Sequence, residues 1–308
     1  MHSFLDTMSR KCFGMTMAVY PMTISPAYKP AMDFMTQSAF DAAGRRLGGY
    51  SRTLIMGILN VTPDSFSDGG RFASVERAVV HSVQMMEQGA DILDIGAEST
   101  RPGHEIVAAD IEISRLIPVL DALKGRIFCP ISVDTTKAKV AEAALEAGAS
   151  IVNDVWGFQK EPALAEITAA HGASVVLMHN RAEIDPMIDI MDDMLRFLEK
   201  SLAIAQKAGV SLDRISLDPG IGFGKTLQQN ITAITELPRL KALGCPLLVG
   251  ASRKSMIGKI IDSTTDDRLP GTLALHTAAI LNGADIIRVH DVKEAVQAAR
   301  VTDRLKDI

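Results

Sequence analysis

Three hydrogen-bond acceptors, Asp134, Asn153 and Asp218, each sit in or just after a short apolar run of β-type residues. Two carboxylates and an amide converging on one space would recognise a flat heterocycle with several N–H donors. A carboxylate accepts two parallel hydrogen bonds from an aminopyrimidine-like edge, and charge-assisted bonds of this kind are the strong ones. A second set of side chains is cationic. Ser252-Arg253-Lys254 follows a later apolar run, Arg288-Val289-His290 closes the last one, and Arg101 lies in an early polar segment. Arginine forks match phosphate oxygens in pairs, and donors so placed stabilise a departing diphosphate. Asn60 ends the first run and offers the neutral oxygen that Mg²⁺ commonly takes beside phosphate oxygens. Singly, each residue has a plainer role. Asp or Asn after a strand is often a turn residue or helix cap, which is the expectation for Asp154 and Asp291. Asp94 would satisfy buried loop amides, Arg253 would be a solvated charge, and His290 a core or capping histidine. Their joint placement argues for chemistry.

The elements that must position these groups repeat from Leu54 onward. Eight short apolar runs recur: Leu54–Leu59, Ile92–Ile95, Ile131–Val133, Ile151–Val155, Val175–Met178, Ile215–Leu217, Leu247–Val249 and Ile286–Val289. Segments of helical period lie between them, among them Val75–Gln88, Ala138–Ala147, Met187–Ala208 and Leu269–Leu281. The phrases EAGAS, AHGAS and LNGAD each place a helix-ending Gly just before a strand. Such alternation means parallel strands with crossover helices. Eight short units favour an α/β fold closed as a (β/α)8 TIM barrel, in which the polar residues at the C-terminal strand ends form the active site. A doubly wound sheet is the alternative, but no Gly-rich dinucleotide fingerprint follows the first strand. The loops Thr62–Arg71 and Ser99–Glu105 are rich in Gly, Pro and Ser and suited to closing over a substrate. His81, His171 and His276 fall in helical segments and read as structural.

The sequence has 47% hydrophobic and 22% charged residues and a formal net charge of −5. It is an ordinary globular composition, without the basic footprint of a nucleic-acid binder. No apolar stretch is long enough to span a membrane. Cys12, Cys129 and Cys245 have no metal-ligand spacing. The latter two read as buried thiols, and a reducing, cytoplasmic location fits. Residues 1–50 read as an N-terminal extension, with 51–308 as the barrel. Cys12–Met22 superficially resembles an export signal, but Pro21 interrupts it and no clean cleavage site follows. Residues 36–53, with Gly48-Gly49, suit a hairpin that plugs the lower end of the barrel.

On these residues the chain closely resembles the dihydropteroate synthase family of pterin-binding enzymes. Ile55–Gly70 (IMGILNVTPDSFSDGG) and Asp94–Gly103 (DIGAESTRPG) match its first two signatures. SVDT (132–135), VNDV (152–155), LMH (177–179), LDPGIGFGKT (217–226), GASRKSMIG (250–258) and RVHDV (288–292) follow in the family's order. The resemblance runs from about Thr53 to the C-terminus. It implies condensation of a hydroxymethyl-dihydropterin diphosphate with 4-aminobenzoate, giving dihydropteroate and diphosphate, in a homodimer using Mg²⁺. It implies that Asp134, Asn153, Asp218 and Lys254 hold the pterin, lined by Met178, Val155, Gly250 and Phe223. Asn60 would meet Mg²⁺. Thr100, Arg101, Arg288 and His290 would surround the diphosphate, with Asp134, Lys254, Arg288 and His290 carrying the catalysis. Phe66, Pro102, Phe223, Lys254 and Ser255 would hold the aminobenzoate. Three features depart from the family's pattern: Ala97 where Gly is usual, Trp156 where a small residue is common, and a segment Asn180–Met187 without the usual Gly/Pro-rich form. A pterin-binding methyltransferase would not need the diphosphate apparatus. An inactive folate-binding relative would be expected to lose Asn60, Asp134, Lys254 or His290. A sugar-phosphate barrel enzyme would leave the three acceptors unexplained.

Overall fold

The computed structural model describes residues 40–42, 45–47, 52–62, 70–98 and 107–306. Phe66, Thr100, Arg101 and Pro102 lie outside the described residues, as do most of the two Gly/Pro-rich loops and the segment Cys12–Met22. Two short strands, β1 (Phe40–Ala42) and β2 (Arg45–Leu47), pair antiparallel. Eight parallel strands follow: β3 (Leu54–Asn60), β4 (Ile92–Gly96), β5 (Ile131–Asp134), β6 (Ile151–Asp154), β7 (Ser174–Met178), β8 (Ile215–Asp218), β9 (Leu248–Val249) and β10 (Ile286–Val289). Their order around the sheet is β8-β7-β6-β5-β4-β3-β10-β9. A parallel bridge between Leu217 and Leu247 joins the two ends. The eight runs therefore form a (β/α)8 barrel.

Helices occupy the crossovers: α1 (Gly70–Glu87), α2 (Ala109–Leu123), α3 (Ala138–Glu146), α4 (Ala163–Ala170), α5 (Ile190–Ala208), α6 (Leu227–Thr235), α7 (Ser255–Ile261), α8 (Leu269–Leu281) and α9 (Val292–Lys306). The Asp189 carboxylate caps α5 by accepting from the Met191 and Asp192 amides, so this helix starts three residues later than its apolar pattern suggests. Thr226 and Gln229 form a capping box at the start of α6. Gly148, Gly172 and Gly283, from the three repeated phrases, all take positive φ at helix ends.

Strand side chains alternate between two faces, and here the alternation sorts the whole core. Ile55, Leu59, Leu93, Ile95, Val133, Val152, Val175, Leu177, Ile215, Leu217, Val249, Ile287 and Val289 pack outward with the helices in one large cluster. The opposite faces point into the barrel. At the N-terminal ends of the strands, Leu54, Met56, Ile92, Ile151, Val176, Leu248 and Ile286 form a separate apolar cluster that includes Phe40 of β1. The Ser174 hydroxyl donates to the Asp41 carbonyl and ties the hairpin to β7. Continuing up the same faces in steps of two reaches Asn60, Asp94, Asp134, Asn153, Met178, Asp218, Gly250 and Arg288. One periodicity thus gives a mainly apolar lower barrel, with buried Ser132, Ser174 and Ser216 among its inward positions, and a more polar upper one.

Cys245 is buried, and burial pushes its thiol up to about 11. Cys129 is only half-buried, which corrects its reading as a buried thiol. Among the described residues no helix is long and apolar enough to cross a membrane. Phe40 is 1% exposed in the lower cluster, so Phe40→Ala should cost roughly 3 kcal/mol or more through lost burial and a cavity. Urea unfolding followed by circular dichroism checks this; an unchanged midpoint would exclude Phe40 from the core.

Candidate active site

A cavity of about 640 Å³ opens at the C-terminal ends of the strands. Asp134, Asn153, Val155, Met178 and Asp218 line one part of it. Asn60, Gly250, Ser252, Arg253, Lys254, Ser255, Arg288 and His290 line the rest, and Phe223 enters from the loop after β8. Every candidate residue within the described part of the chain therefore borders a single space. Thr265 and Arg268 also line it. Their sequence neighbourhood carries no strand end and gave no signal.

The centre of the site is the Arg288 guanidinium. Its Nε donates to Asp94 Oδ2 at 2.6 Å and its Nη2 to Asp134 Oδ2 at 2.8 Å. Asn153 Nδ2 donates to the same Asp94 oxygen at 3.1 Å. Asp94 does not satisfy loop amides, as its isolated position suggested. It is fully buried and holds Arg288 and Asn153 in place. Arg288 also links the two sets, because it pairs directly with Asp134, an acceptor of the heterocycle set. The second carboxylate oxygen of Asp134 is buried with no partner among the described residues. Such an atom is costly to leave unsatisfied, and it offers an acceptor to a bound N–H donor. Burial pushes Asp134 up to about 7, against the pull of Arg288.

Asp218 faces this group from β8. Its Oδ1 accepts from the Gly220 amide at 2.7 Å, and its Oδ2 lies 3.9 Å from where a side chain at Gly250 would begin. The Arg288 side chain lies 3.7 Å from that same point. Any side chain at position 250 would therefore grow into the gap between Asp218 and Arg288. The Lys254 ammonium rests 4.2 Å from the centre of the Phe223 ring, a cation–π distance. Phe223, Val155 and Met178 form a small apolar cluster with Trp156 packed against it. Trp156 thus backs the wall of the site.

The cations nearer the rim are also held. Arg253 forks onto Asp291, with Nε to Oδ2 at 3.1 Å and Nη2 to Oδ1 at 2.5 Å. This replaces the solvated-charge role expected for Arg253, while Asp291 also stands at the start of α9, where its carbonyl accepts from the Ala295 amide. Arg268 directs its Nη1 to the Arg253 carbonyl at 3.1 Å and its Nη2 to the Ser263 carbonyl at 3.3 Å. The His290 Nδ1 lies 2.9 Å from the Ser252 hydroxyl. That hydroxyl also accepts from the His290 amide; when its own proton goes to Nδ1, the ring proton of the neutral imidazole is on Nε2 and faces the cavity. Burial, with Arg288 and Arg253 nearby, lowers His290 to about 3, which keeps it neutral. By contrast Asp154 accepts from the Trp156 and Phe158 amides and is the turn residue its position suggested. Ala97 is buried, and its carbonyl accepts from Arg115.

Among the described residues no three His, Cys, Asp or Glu side chains gather to hold a metal. Asn60 is exposed at the end of β3 on the cavity. A hard cation here would draw one oxygen from the protein and the others from a phosphorylated ligand or water, a coordination typical of Mg²⁺.

A β/α barrel whose mouth holds acceptors for an amino-substituted ring beside cationic and imidazole donors defines a pterin-binding barrel enzyme, and the pterin binding enzyme family matches residues 56–290. A dihydropteroate synthase of Clostridium beijerinckii is 50% identical over 253 residues, covering 82% of this chain and 94% of that relative. The crystal structure of a dihydropteroate synthase from Clostridium difficile in the presence of pteroic acid shares 50% identity at a TM-score of 0.80, covering 82% of this chain and 97% of that one. A Xanthomonas albilineans dihydropteroate synthase with 4-aminobenzoic acid shares 41% identity at a TM-score of 0.83, covering 89% and 100%. The chain belongs to the dihydropteroate synthase family, and its activity is that of a transferase.

Burial raises Asp218 from 3.8 to about 6. A carboxyl whose folded pKa exceeds its unfolded value binds its proton more tightly when folded, so it destabilises the fold as pH rises from 3.8 through 6. The Asp218→Asn variant should therefore gain stability over the parent across this window, by roughly 1.4 kcal/mol per pH unit at most, and level off above it. Paired denaturation curves between pH 4 and 8 measure the difference; a pH-independent gap contradicts the assignment.

Proposed function

We propose that the chain works as a dihydropteroate synthase by a largely dissociative substitution at the pterin methylene carbon. The observation that carries this reading is the Arg288 guanidinium joined to Asp94 and Asp134 in the cavity that also holds Asp218 and Lys254. A pterin amino-pyrimidine edge meets acceptors on Asp218, Asn153 and Asp134, with Lys254 and Phe223 beside the ring. Binding this edge to ionised carboxylates strengthens each hydrogen bond. Val155, Met178 and Gly250 supply the flat, closely packed walls that a ring requires.

The C–O bond to diphosphate breaks first. His290 Nε2–H, Ser255 and the rim arginines hold the departing oxygens, joined in this reading by Thr100 and Arg101. Asp134 stabilises the positive charge that develops on the methylene carbon, because a fixed carboxylate in a site largely shielded from water acts at full strength. The aniline nitrogen of 4-aminobenzoate, seated near Phe66, Pro102, Phe223, Lys254 and Ser255, then forms the C–N bond. It loses one proton to solvent, and a neutral amine of this kind needs no general base. Asn60 would hold Mg²⁺, which neutralises charge on the diphosphate oxygens when bound. A homodimer and a cytoplasmic location complete the reading, and light scattering on the purified chain tests the first.

Incubation with the pterin diphosphate, Mg²⁺ and 4-aminobenzoate should yield dihydropteroate and diphosphate. A folded protein that produces neither overturns the proposal. Asp134→Asn should keep the fold and lower kcat roughly a hundredfold or more; wild-type turnover would remove Asp134 from the mechanism. Asn60→Ala should shift the Mg²⁺ concentration for half-maximal rate upward, and an unmoved titration curve would place the ion elsewhere.

A further inference from the structure

Lys225 does not line the cavity, yet it is 5% exposed and lies in the loop that carries Phe223. Its ammonium makes three hydrogen bonds: to the Gly220 carbonyl at 2.9 Å, to the Phe223 carbonyl at 3.1 Å and to His179 Nδ1 at 2.7 Å. An ammonium has three N–H donors, so the protonated amine uses all of them; burial lowers Lys225 to about 7. Because Lys225 donates to Nδ1, the ring proton of His179 sits on Nε2, which lies 3.0 Å from Asp193 Oδ2. Arg181 donates to the same oxygen at 2.8 Å. A continuous chain of bonds thus runs from α5, through the end of β7, into the loop after β8.

That loop is locked at its backbone as well. Gly220 has φ 66°, and a Cβ there would stand 1.9 Å from the His179 carbonyl oxygen. A Cβ at Gly224 would stand 2.4 Å from the Arg181 carbonyl oxygen. The Gly222 amide donates to Asn230 Oδ1 at 2.6 Å. The loop therefore lies backbone against backbone on residues 179–181. Burying a charged amine costs several kcal/mol unless it is fully paired, and an apolar side chain would pack at lower cost. What the ammonium adds is a fixed distance between the two carbonyls it bonds. Gly220 is the residue whose amide holds Asp218, and Phe223 is the ring on which Lys254 rests.

We propose that Lys225 is a positioning residue for the synthase reaction. Its ammonium clamps the Gly220 and Phe223 carbonyls against His179, and so sets the Asp218 carboxylate and the Phe223–Lys254 pair at the spacing the substrates require. This rests on the synthase reading above.

The test uses the full chain with Lys225→Met, Lys225→Arg and His179→Leu. The sequence has one tryptophan, and Trp156 packs against the Val155, Met178 and Phe223 cluster, so its emission reports the seat of Phe223 independently of turnover. In folded Lys225→Met, kcat/KM for pterin diphosphate should fall roughly ten- to a hundredfold, as expected for a small misplacement of binding groups. KM should rise for both substrates and Trp156 emission should shift to the red. A reduced folded fraction would lower kcat and leave KM unmoved. Lys225→Arg, which keeps the charge and donors, should recover part of the loss. If Lys225→Met does not fold, His179→Leu decides, since it removes one acceptor of the clamp while keeping an apolar contact to Phe197. Wild-type KM values or unshifted emission in the deciding folded variant overturn the clamp. A wild-type protein without synthase activity overturns the functional reading instead, and the emission of the variants then decides the clamp alone.

Discussion

The site depends on one largely buried cation shared by two carboxylates. Arg288 reaches across the barrel from β10 to Asp94 on β4 and Asp134 on β5. A buried guanidinium with one partner would leave N–H groups and charge uncompensated, at a cost of several kcal/mol. With two partners it becomes a fixed strut, and each carboxylate gains a defined orientation. Asn153 joins the strut through Asp94. The positions of Asp134 on β5 and Asn153 on β6 are therefore consequences of a pairing made on β4 and β10.

Strand parity makes that pairing available. Each barrel strand sends alternate residues inward, and the inward positions change from apolar to polar over one or two steps. Ile92 is followed by Asp94, Ile151 by Asn153, and Ile286 by Arg288. The lower cluster, which includes Phe40, is a mainly apolar floor that offers little solvent. Charges standing on such a floor lose solvent on one side, which is why Asp134 and Asp218 both lie above the ordinary carboxylate range. Stability and function are set in opposition here. The burial that makes these carboxylates strong, selective acceptors also makes them expensive to ionise.

Parity also explains what could be read in the sequence. The eight strands and the polar residue at each upper end follow from the repeat of short apolar runs and Gly-stopped helices. Asp134 and Asp154 look alike as residues ending such runs, yet parity separates them. Asn153 takes the inward position, and Asp154 turns away to cap the amides of Trp156 and Phe158. The partners of Arg288 had no local signature, because Asp94 is 194 residues away in the chain. The same holds for Lys225: a lysine in a Gly-rich stretch gives no hint that it is buried, and only His179, 46 positions earlier, explains it. Arg268 was missed because it reaches the cavity from a short turn before α8 rather than from a strand end.

The charge balance of the cavity bears on how it can accept a diphosphate. Arg288 is paired with Asp94 and Asp134, and Arg253 with Asp291. These cations are already compensated by carboxylates, so an incoming anion meets a site closer to neutral than a count of arginines suggests. Arg268 differs, since its N–H groups bond the carbonyls of Arg253 and Ser263, which carry no formal charge. Neutral donors such as His290 Nε2–H can hold phosphate oxygens without adding charge. A ligand with several negative charges would then bind most favourably together with a divalent cation at the Asn60 end, where one protein oxygen is on offer. Under the proposed function, a need for such a cation would follow from the acceptor half of the site: Asp94 and Asp134 occupy positive charge on Arg288 that would otherwise face the leaving group.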